Sequence, residues 1–251
     1  MSPRLTGTTA VRVLTQIRRD PRTIGLILVV PLVLLTLFWW MVKDLPKSPM
    51  YAGLDFDVVG PKLMGLFPLI MMFLITSVTT LRERQSGTME RLMASPAGRG
   101  DIVLGYMLAF GILATIQGVV VVSFAVWALS MTVAGPLWAL MVIIVLDAIL
   151  GTALGLAASS TARTEFQAVQ MMPAIILPQL LIAGLFIPRD QMPTVLHWIS
   201  DVMPLSYSID ALKELAASAN ASGIGSQIAI LCAFIVGALV LGITTLRRRT
   251  G

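Results

Sequence analysis

Arg82-Glu-Arg-Gln-Ser-Gly-Thr-Met-Glu-Arg-Leu-Met-Ala-Ser-Pro-Ala-Gly-Arg-Gly-Asp101 lies between two apolar runs, Phe67 to Leu81 and Ile102 to Leu129. The stretch carries both charge signs and its own helix punctuation. Thr88 is a suitable N-cap, Glu90 falls in the first turn of the helix it would open, and Pro96 with Gly98 and Gly100 stops that helix. The pattern predicts a short helix held on the water side of a membrane by two spans.

The rest of the chain supports the membrane reading. Of its 251 residues 57% are hydrophobic and 12% charged, about half the charged share of a soluble domain. About 20 apolar residues cross the hydrocarbon of a bilayer, and six runs qualify: Ile24 to Val42, Leu63 to Leu81, Ile102 to Met131, Leu137 to Ala158, Val169 to Ile187 and Ile228 to Leu246. These runs are continuous rather than alternating, which excludes a transmembrane barrel. The first has a long polar lead and no small-residue cleavage pattern behind it, so it is expected to be a retained helix rather than a signal peptide.

The formal net charge of +5 reads as an orientation signal, not as a nucleic-acid footprint. With the N-terminus inside, thirteen of the eighteen basic residues fall on the cytoplasmic side, among them Arg4, Arg12, Arg18, Arg19, Arg22, Arg82, Arg84, Arg91, Arg99 and Arg163. The other side keeps Lys43, Lys47, Lys62, Arg189 and Lys213. The positive-inside rule therefore predicts that both termini are cytoplasmic. The single cysteine, Cys232, excludes an intrachain disulfide and a cysteine-based metal site.

Before the first span, Ala10, Val13, Leu14 and Ile17 share one helix face, with Arg12, Gln16 and Arg19 opposite. This predicts an amphipathic helix lying in the membrane surface over residues 1–22, broken at Asp20-Pro21. Trp39 and Trp40 end the first span as interfacial anchors. The loop from Lys43 to Pro61, with Pro46, Pro49, Gly53 and Gly60, is expected to lack regular structure. Gly151-x-x-x-Gly155 in the fourth span, with Ala158 and Ser159, lets a neighbouring helix approach closely, by default one in the same subunit. Pro173 and Pro178 are expected to kink or interrupt the fifth span, whose Met171, Met172 and Gln179 either line a cavity or fill core gaps. The segment 188–220 holds no apolar run long enough to span and predicts short interfacial or re-entrant helices on the outer side. No inverted repeat relates the halves of the chain, which argues against a secondary transporter.

Chemistry is sparse. No G-x-x-x-x-G-K-[ST] occurs, so ATP cannot be cradled here in the P-loop manner. The one histidine, His197, has no partner set at metal or triad spacing. Neither a catalytic residue nor a metal site is expected. Asp147, near the middle of the fourth span, needs a partner at that depth, and Gln117 of the third span is the candidate; a role in binding a cationic substrate or relaying protons is the alternative.

The run Arg82 to Pro96, followed by Leu104-Gly105, resembles the signature of the bacterial type-2 ABC permeases, also called type V ABC exporters. Gly184-Leu-Phe-Ile-Pro188, Met192-Pro193, Trp198-Ile199 and Pro204-Leu-Ser-Tyr207, through Asp210 and Leu212, resemble that family's stretch between spans five and six. Tyr106 departs from it, standing where many members have lysine. The resemblance implies an all-α membrane fold: a connecting helix over 1–22, then a six-span permease domain over 23–251 with a coupling loop at 82–101 and an outer re-entrant segment at 188–220. It implies that Glu83, Gly87, Thr88, Glu90, Arg91, Ser95 and Pro96 couple the chain to a separate ATPase subunit, which would hold ATP and magnesium. A second permease subunit, identical or homologous, would complete a pathway lined mainly by spans one, two and five, with Met71, Met72, Met171, Met172, Gln179 and Asp147 as candidate lining. The implied function is export of a hydrophobic or amphipathic small molecule across a bacterial inner membrane, nearest in tone to daunorubicin-type drug exporters. A lipid-linked polysaccharide exporter is the alternative within the family, and a non-transporting membrane scaffold the alternative outside it.

Overall fold

The computed structural model of the chain describes residues 2–46, 52–88, 98–219 and 223–245. Among these it is all-helical, with nine α-helices: α1 (Pro3–Arg18), α2 (Pro21–Val42), α3 (Phe56–Gln85), α4 (Arg99–Trp127), α5 (Leu137–Thr161), α6 (Glu165–Ile182), α7 (Thr194–Asp201), α8 (Pro204–Ala217) and α9 (Ile224–Thr245). Six of them, α2 to α6 and α9, are long and apolar enough to cross a membrane.

The break at Asp20-Pro21 is where the sequence places it. Pro21 occupies the first turn of α2, and the Asp20 carboxylate accepts from the Thr23 amide (3.2 Å) and hydroxyl (2.6 Å). Those two bonds, the hydroxyl's first, hold the Asp20 carboxyl below its ordinary range. In α1, Ala10, Val13 and Ile17 are buried and Leu14 half-buried, packed with Ile102, Val103, Tyr106 and Phe110 of α4. The approach is close because position 105 is glycine: a Cβ there would lie 2.6 Å from Thr9 Cβ.

The centre of the bundle is the pair α3 and α5. Gly151 and Gly155 rest directly on the α3 backbone, where a Cβ would come within 2.2 Å of the Leu69 carbonyl oxygen and 2.6 Å of that of Phe73. The small-residue stripe is therefore used inside the subunit. α2 instead turns Leu26, Val29, Val33, Leu37 and Met41 outward, and α4 exposes Leu108, Ile112, Ile116 and Val119 along one face. Such apolar faces match lipid and not water.

Four of the boundaries that differ from expectation have a clear local reason. α3 starts at Phe56, so Pro61 lies inside a helix and not in a loop; Asp55 caps it by accepting from the Asp57 amide (3.2 Å), and Phe56 is buried. α4 ends at Trp127 because the chain turns back at Ser130, in the left-handed region (φ 54°), with the Met131 amide donating to the Ala125 carbonyl (3.0 Å). α6 begins at Glu165, where the Thr164 hydroxyl accepts from the Gln167 amide (3.1 Å), and ends at Ile182 before Gly184 (φ 85°). It also runs through Pro173 and Pro178 without interruption. Each proline removes one backbone donor, a loss a membrane helix tolerates.

Candidate functional site

The last turn of α3, from which the polar segment at 86–98 departs, is fixed on two sides. On the first, Arg12 of α1 reaches Glu83 Oε2 (2.7 Å) and the Tyr106 hydroxyl (2.8 Å), while that hydroxyl donates to the same carboxylate oxygen. Glu83 and Tyr106 are buried. Burial works against the charge of Arg12, but its bond to the Glu83 carboxylate and that carboxylate's charge outweigh it and raise the guanidinium pKa above its ordinary value. Sequence periodicity puts Arg12 on the polar face with Gln16 and Arg19; the structure instead turns it inward, because a long side chain at the edge of the face can reach a buried carboxylate. Tyr106, the departure from the family pattern, supplies the hydroxyl that closes this cluster.

On the second side, Arg82 makes a two-pronged bridge to Glu165 at the start of α6 (2.7 and 2.8 Å). Arg84 donates to the Ser159 carbonyl, and Gln85 Nε2 to that of Arg163 (2.9 Å). The far end of the segment is tied as well. Asp101, in the first turn of α4, accepts from the amides of Gly98 (3.0 Å) and Ser2 (2.8 Å). The two ends of the segment are thus tied to α1, α3, α4 and the α5–α6 turn.

Of the sequence-predicted coupling residues, Glu83 lies within this frame, Gly87 takes the left-handed conformation (φ 73°), and Thr88 Oγ1 is 3.0 Å from Ser86 Oγ. Glu90, Arg91, Ser95 and Pro96 lie outside the described residues, as does most of the helix expected there.

Deeper in the bundle, Asp147 is fully buried, and its partner is not Gln117. Gln117 Nε2 donates to the Ile27 carbonyl (2.9 Å), tying α4 to α2. The Ser208 hydroxyl of α8 donates to Asp147 Oδ2, while Oδ1 has no partner among the described residues. Gly65 makes room for this carboxylate: a Cβ there would lie 2.4 Å from Oδ2. Of the candidate pathway residues, Met72 is fully buried, Met71, Met171 and Met172 are half-buried, and Gln179 is buried with its amide donating to the Ile175 carbonyl one turn back (3.0 Å). Ser208 was missed because α8 reads in sequence as part of a surface segment.

The all-helical architecture agrees with a comparison to known proteins. The model of the ABC-2 type transporter family matches residues 4–216. This chain belongs to that family. Relatives of the permease include the probable multidrug ABC transporter permease YbhR of Escherichia coli (strain K12), 28% identical over 62% of this chain and 43% of the relative. The linearmycin resistance permease protein LnrN of Bacillus subtilis (strain 168) is 25% identical over 67% of this chain and 44% of its own length. Nodulation protein J of Neorhizobium galegae is 26% identical over 68% of this chain and 65% of the relative. The matched part thus spans less than half of the first two relatives. With six apolar helices, the permease is a multi-pass membrane protein.

Proposed function

We propose that the permease is the membrane subunit of an ATP-driven exporter that moves hydrophobic or amphipathic small molecules, such as a drug, an antibiotic or a lipid, out of the cytoplasm or the inner leaflet. ATP would be hydrolysed on a separate nucleotide-binding subunit docked against the segment between α3 and α4. A second permease subunit would complete the pathway. Both termini and this segment would face the cytoplasm of a bacterial cell, in keeping with the distribution of basic residues. The observation that carries the reading is the double anchoring of the last α3 turn, to α1 through Glu83 and to the α5–α6 turn through Arg82, Arg84 and Gln85. A segment so anchored moves helices when a soluble partner pushes it, which an exporter needs and a passive scaffold does not. The names of the multidrug and linearmycin resistance relatives support the substrate class.

The test is reconstitution of the permease with its ATPase subunit in proteoliposomes, followed by transport of a lipophilic fluorescent drug. ATP-dependent, substrate-stimulated accumulation is the expected result. Complex formation without flux of any amphipathic compound would favour a scaffold.

A further inference from the structure

The corner where α1 meets α2 carries three arginines within a short stretch: Arg18 in the last turn of α1, Arg19 directly after it, and Arg22 in the first turn of α2. All three are exposed, and none makes an ion pair or a side-chain hydrogen bond among the described residues. Arg12, Arg82 and Arg84, by contrast, are engaged with Glu83, Glu165 and the Ser159 carbonyl. The acid at the corner, Asp20, is held by the amide and hydroxyl of Thr23 as the cap of α2. One carboxylate against three guanidinium groups leaves the corner positive.

The depth of the corner follows from α2. Its Ile27 carbonyl is tied to Gln117 of α4 (2.9 Å), and its Leu26, Val29, Val33 and Leu37 are exposed along one helix face. Arg22 stands on that same face, four residues and thus about 6 Å before Leu26. The headgroup layer on each side of the hydrocarbon is about 5 to 8 Å deep, so a guanidinium one turn beyond a lipid-facing stripe lies among lipid phosphates. The apolar face of α1 does not hold the corner there, because Ala10, Val13 and Ile17 are packed on α4. What the corner presents to the membrane is charge.

We infer that Arg18, Arg19 and Arg22 form a binding site for the headgroup of an anionic phospholipid, whose tails lie along the exposed face of α2 that begins at Leu26. Guanidinium groups offer paired, charge-assisted donors to phosphate oxygens, and a basic cluster beside a span attracts anionic headgroups. The orientation rule depends only on how many basic residues lie on one side of the membrane; a site depends on where they stand. A headgroup held from both helices fixes the angle between α1 and α2, and α1 carries Arg12, the partner of Glu83. The site does not depend on the permease being an exporter.

The test is thermal melting of the full-length permease in a neutral detergent, titrated with phosphatidylglycerol and, separately, with phosphatidylcholine bearing the same tails. Phosphatidylglycerol should raise the melting midpoint well beyond phosphatidylcholine, and the difference should shrink as salt is added, since the arginines are exposed. Arg18→Gln, Arg19→Gln and Arg22→Gln should each shift the phosphatidylglycerol titration about fivefold to higher lipid, the effect of one arginine near an anionic surface. The triple variant should respond to the two lipids alike. Without lipid, each single variant should melt as the parent does, because an exposed and unpaired side chain is removed. Arg4→Gln/Arg163→Gln takes two exposed charges from elsewhere in the chain and should keep the response. Equal stabilisation of the parent by the two lipids, an undiminished phosphatidylglycerol response in the triple variant, or a loss in Arg4→Gln/Arg163→Gln as large as in Arg19→Gln/Arg22→Gln would overturn the assignment.

Discussion

Arg12 and Glu83, 71 residues apart in sequence, meet at 2.7 Å across the junction of α1 with the last turn of α3, under the hydroxyl of Tyr106. The two partners are unequally buried, with side-chain exposures of 33% for Arg12 and 5% for Glu83. Removing the arginine therefore leaves the more deeply buried charge unpaired. Arg12→Met should destabilise the permease by about 2 to 3 kcal/mol, somewhat below the range for a fully buried pair because Arg12 is partly hydrated. Glu83→Gln should cost less, since the freed guanidinium can turn to water. In a double-mutant cycle read by melting in detergent, Arg12→Met/Glu83→Gln should be at least about 1 kcal/mol more stable than the sum of the singles. Additive losses would show that the pair contributes nothing as a pair.

Tyr106→Phe removes a single donor from Glu83 and keeps the ring, which stacks on Phe110 at 6.4 Å between centroids. The expected loss is about 1 to 3 kcal/mol, typical of a charged acceptor losing one donor in a buried site. Arg12 remains to hold Glu83, so the α1 contact should persist. Unchanged melting would mean that the hydroxyl is incidental.

At the α3–α5 contact the obstacle to a side chain is backbone, which cannot swing aside. Gly151→Ala would press its methyl within 2.2 Å of the Leu69 carbonyl oxygen. It should reduce the amount of folded permease more than Gly155→Ala, whose nearest atom is 2.6 Å away. A loss of about 1 to 3 kcal/mol or more is expected for such overpacking. Gly237→Ala, with nothing within 4 Å, is the control and should be neutral. Measured as monodisperse protein in size-exclusion chromatography, equal yields of all three variants would contradict the packing described.

The parts of this fold legible in the sequence are those written in local pattern. The six apolar runs, the hydrophobic face of α1, the Asp20-Pro21 break and the small-residue stripe each depend on spacing within one element. What was not legible depends on which elements meet. Nothing in the sequence points from Arg12 to Glu83, or from Asp147 to Ser208 instead of the equally plausible Gln117. Lys62 reads as a surface charge until Asp55 is seen to start α3 early enough to place it inside the bundle.

Asp147 shows what the corrected partner changes. With Ser208 as the single donor, Asp147→Asn keeps an acceptor for that hydroxyl and should retain folding. Ser208→Ala leaves the carboxylate with no donor in a fully buried site and should cost about 1 to 3 kcal/mol. Asp147→Leu is expected to be milder than it would be with an amide partner, because a serine hydroxyl can turn to a carbonyl of its own helix. The ordering Asp147→Asn, Asp147→Leu, Ser208→Ala, from least to most destabilising, is checked by melting of the three variants. If Asp147→Asn instead left melting unchanged and abolished export of cationic compounds alone, the carboxylate would be a transport residue and not a structural one.

Glu90 tests the coupling proposal, since its position in the Arg82 to Asp101 stretch puts an acidic residue between two spans. Glu90→Lys should leave the permease in the membrane at near-normal amounts while weakening co-purification of the ATPase subunit, or uncoupling ATP hydrolysis from substrate. Arg82→Glu provides the comparison. Its bridge to Glu165 is exposed, so breaking it should move stability by no more than about 1 kcal/mol. It should nevertheless lower substrate-stimulated hydrolysis, because the end of α3 would no longer be tied to α6. The two variants then differ in kind, one losing the partner and the other keeping the partner but losing transmission. Normal complex formation and normal export by Glu90→Lys would reduce Glu90 to a local helix stabiliser, worth about 0.3 to 1 kcal/mol.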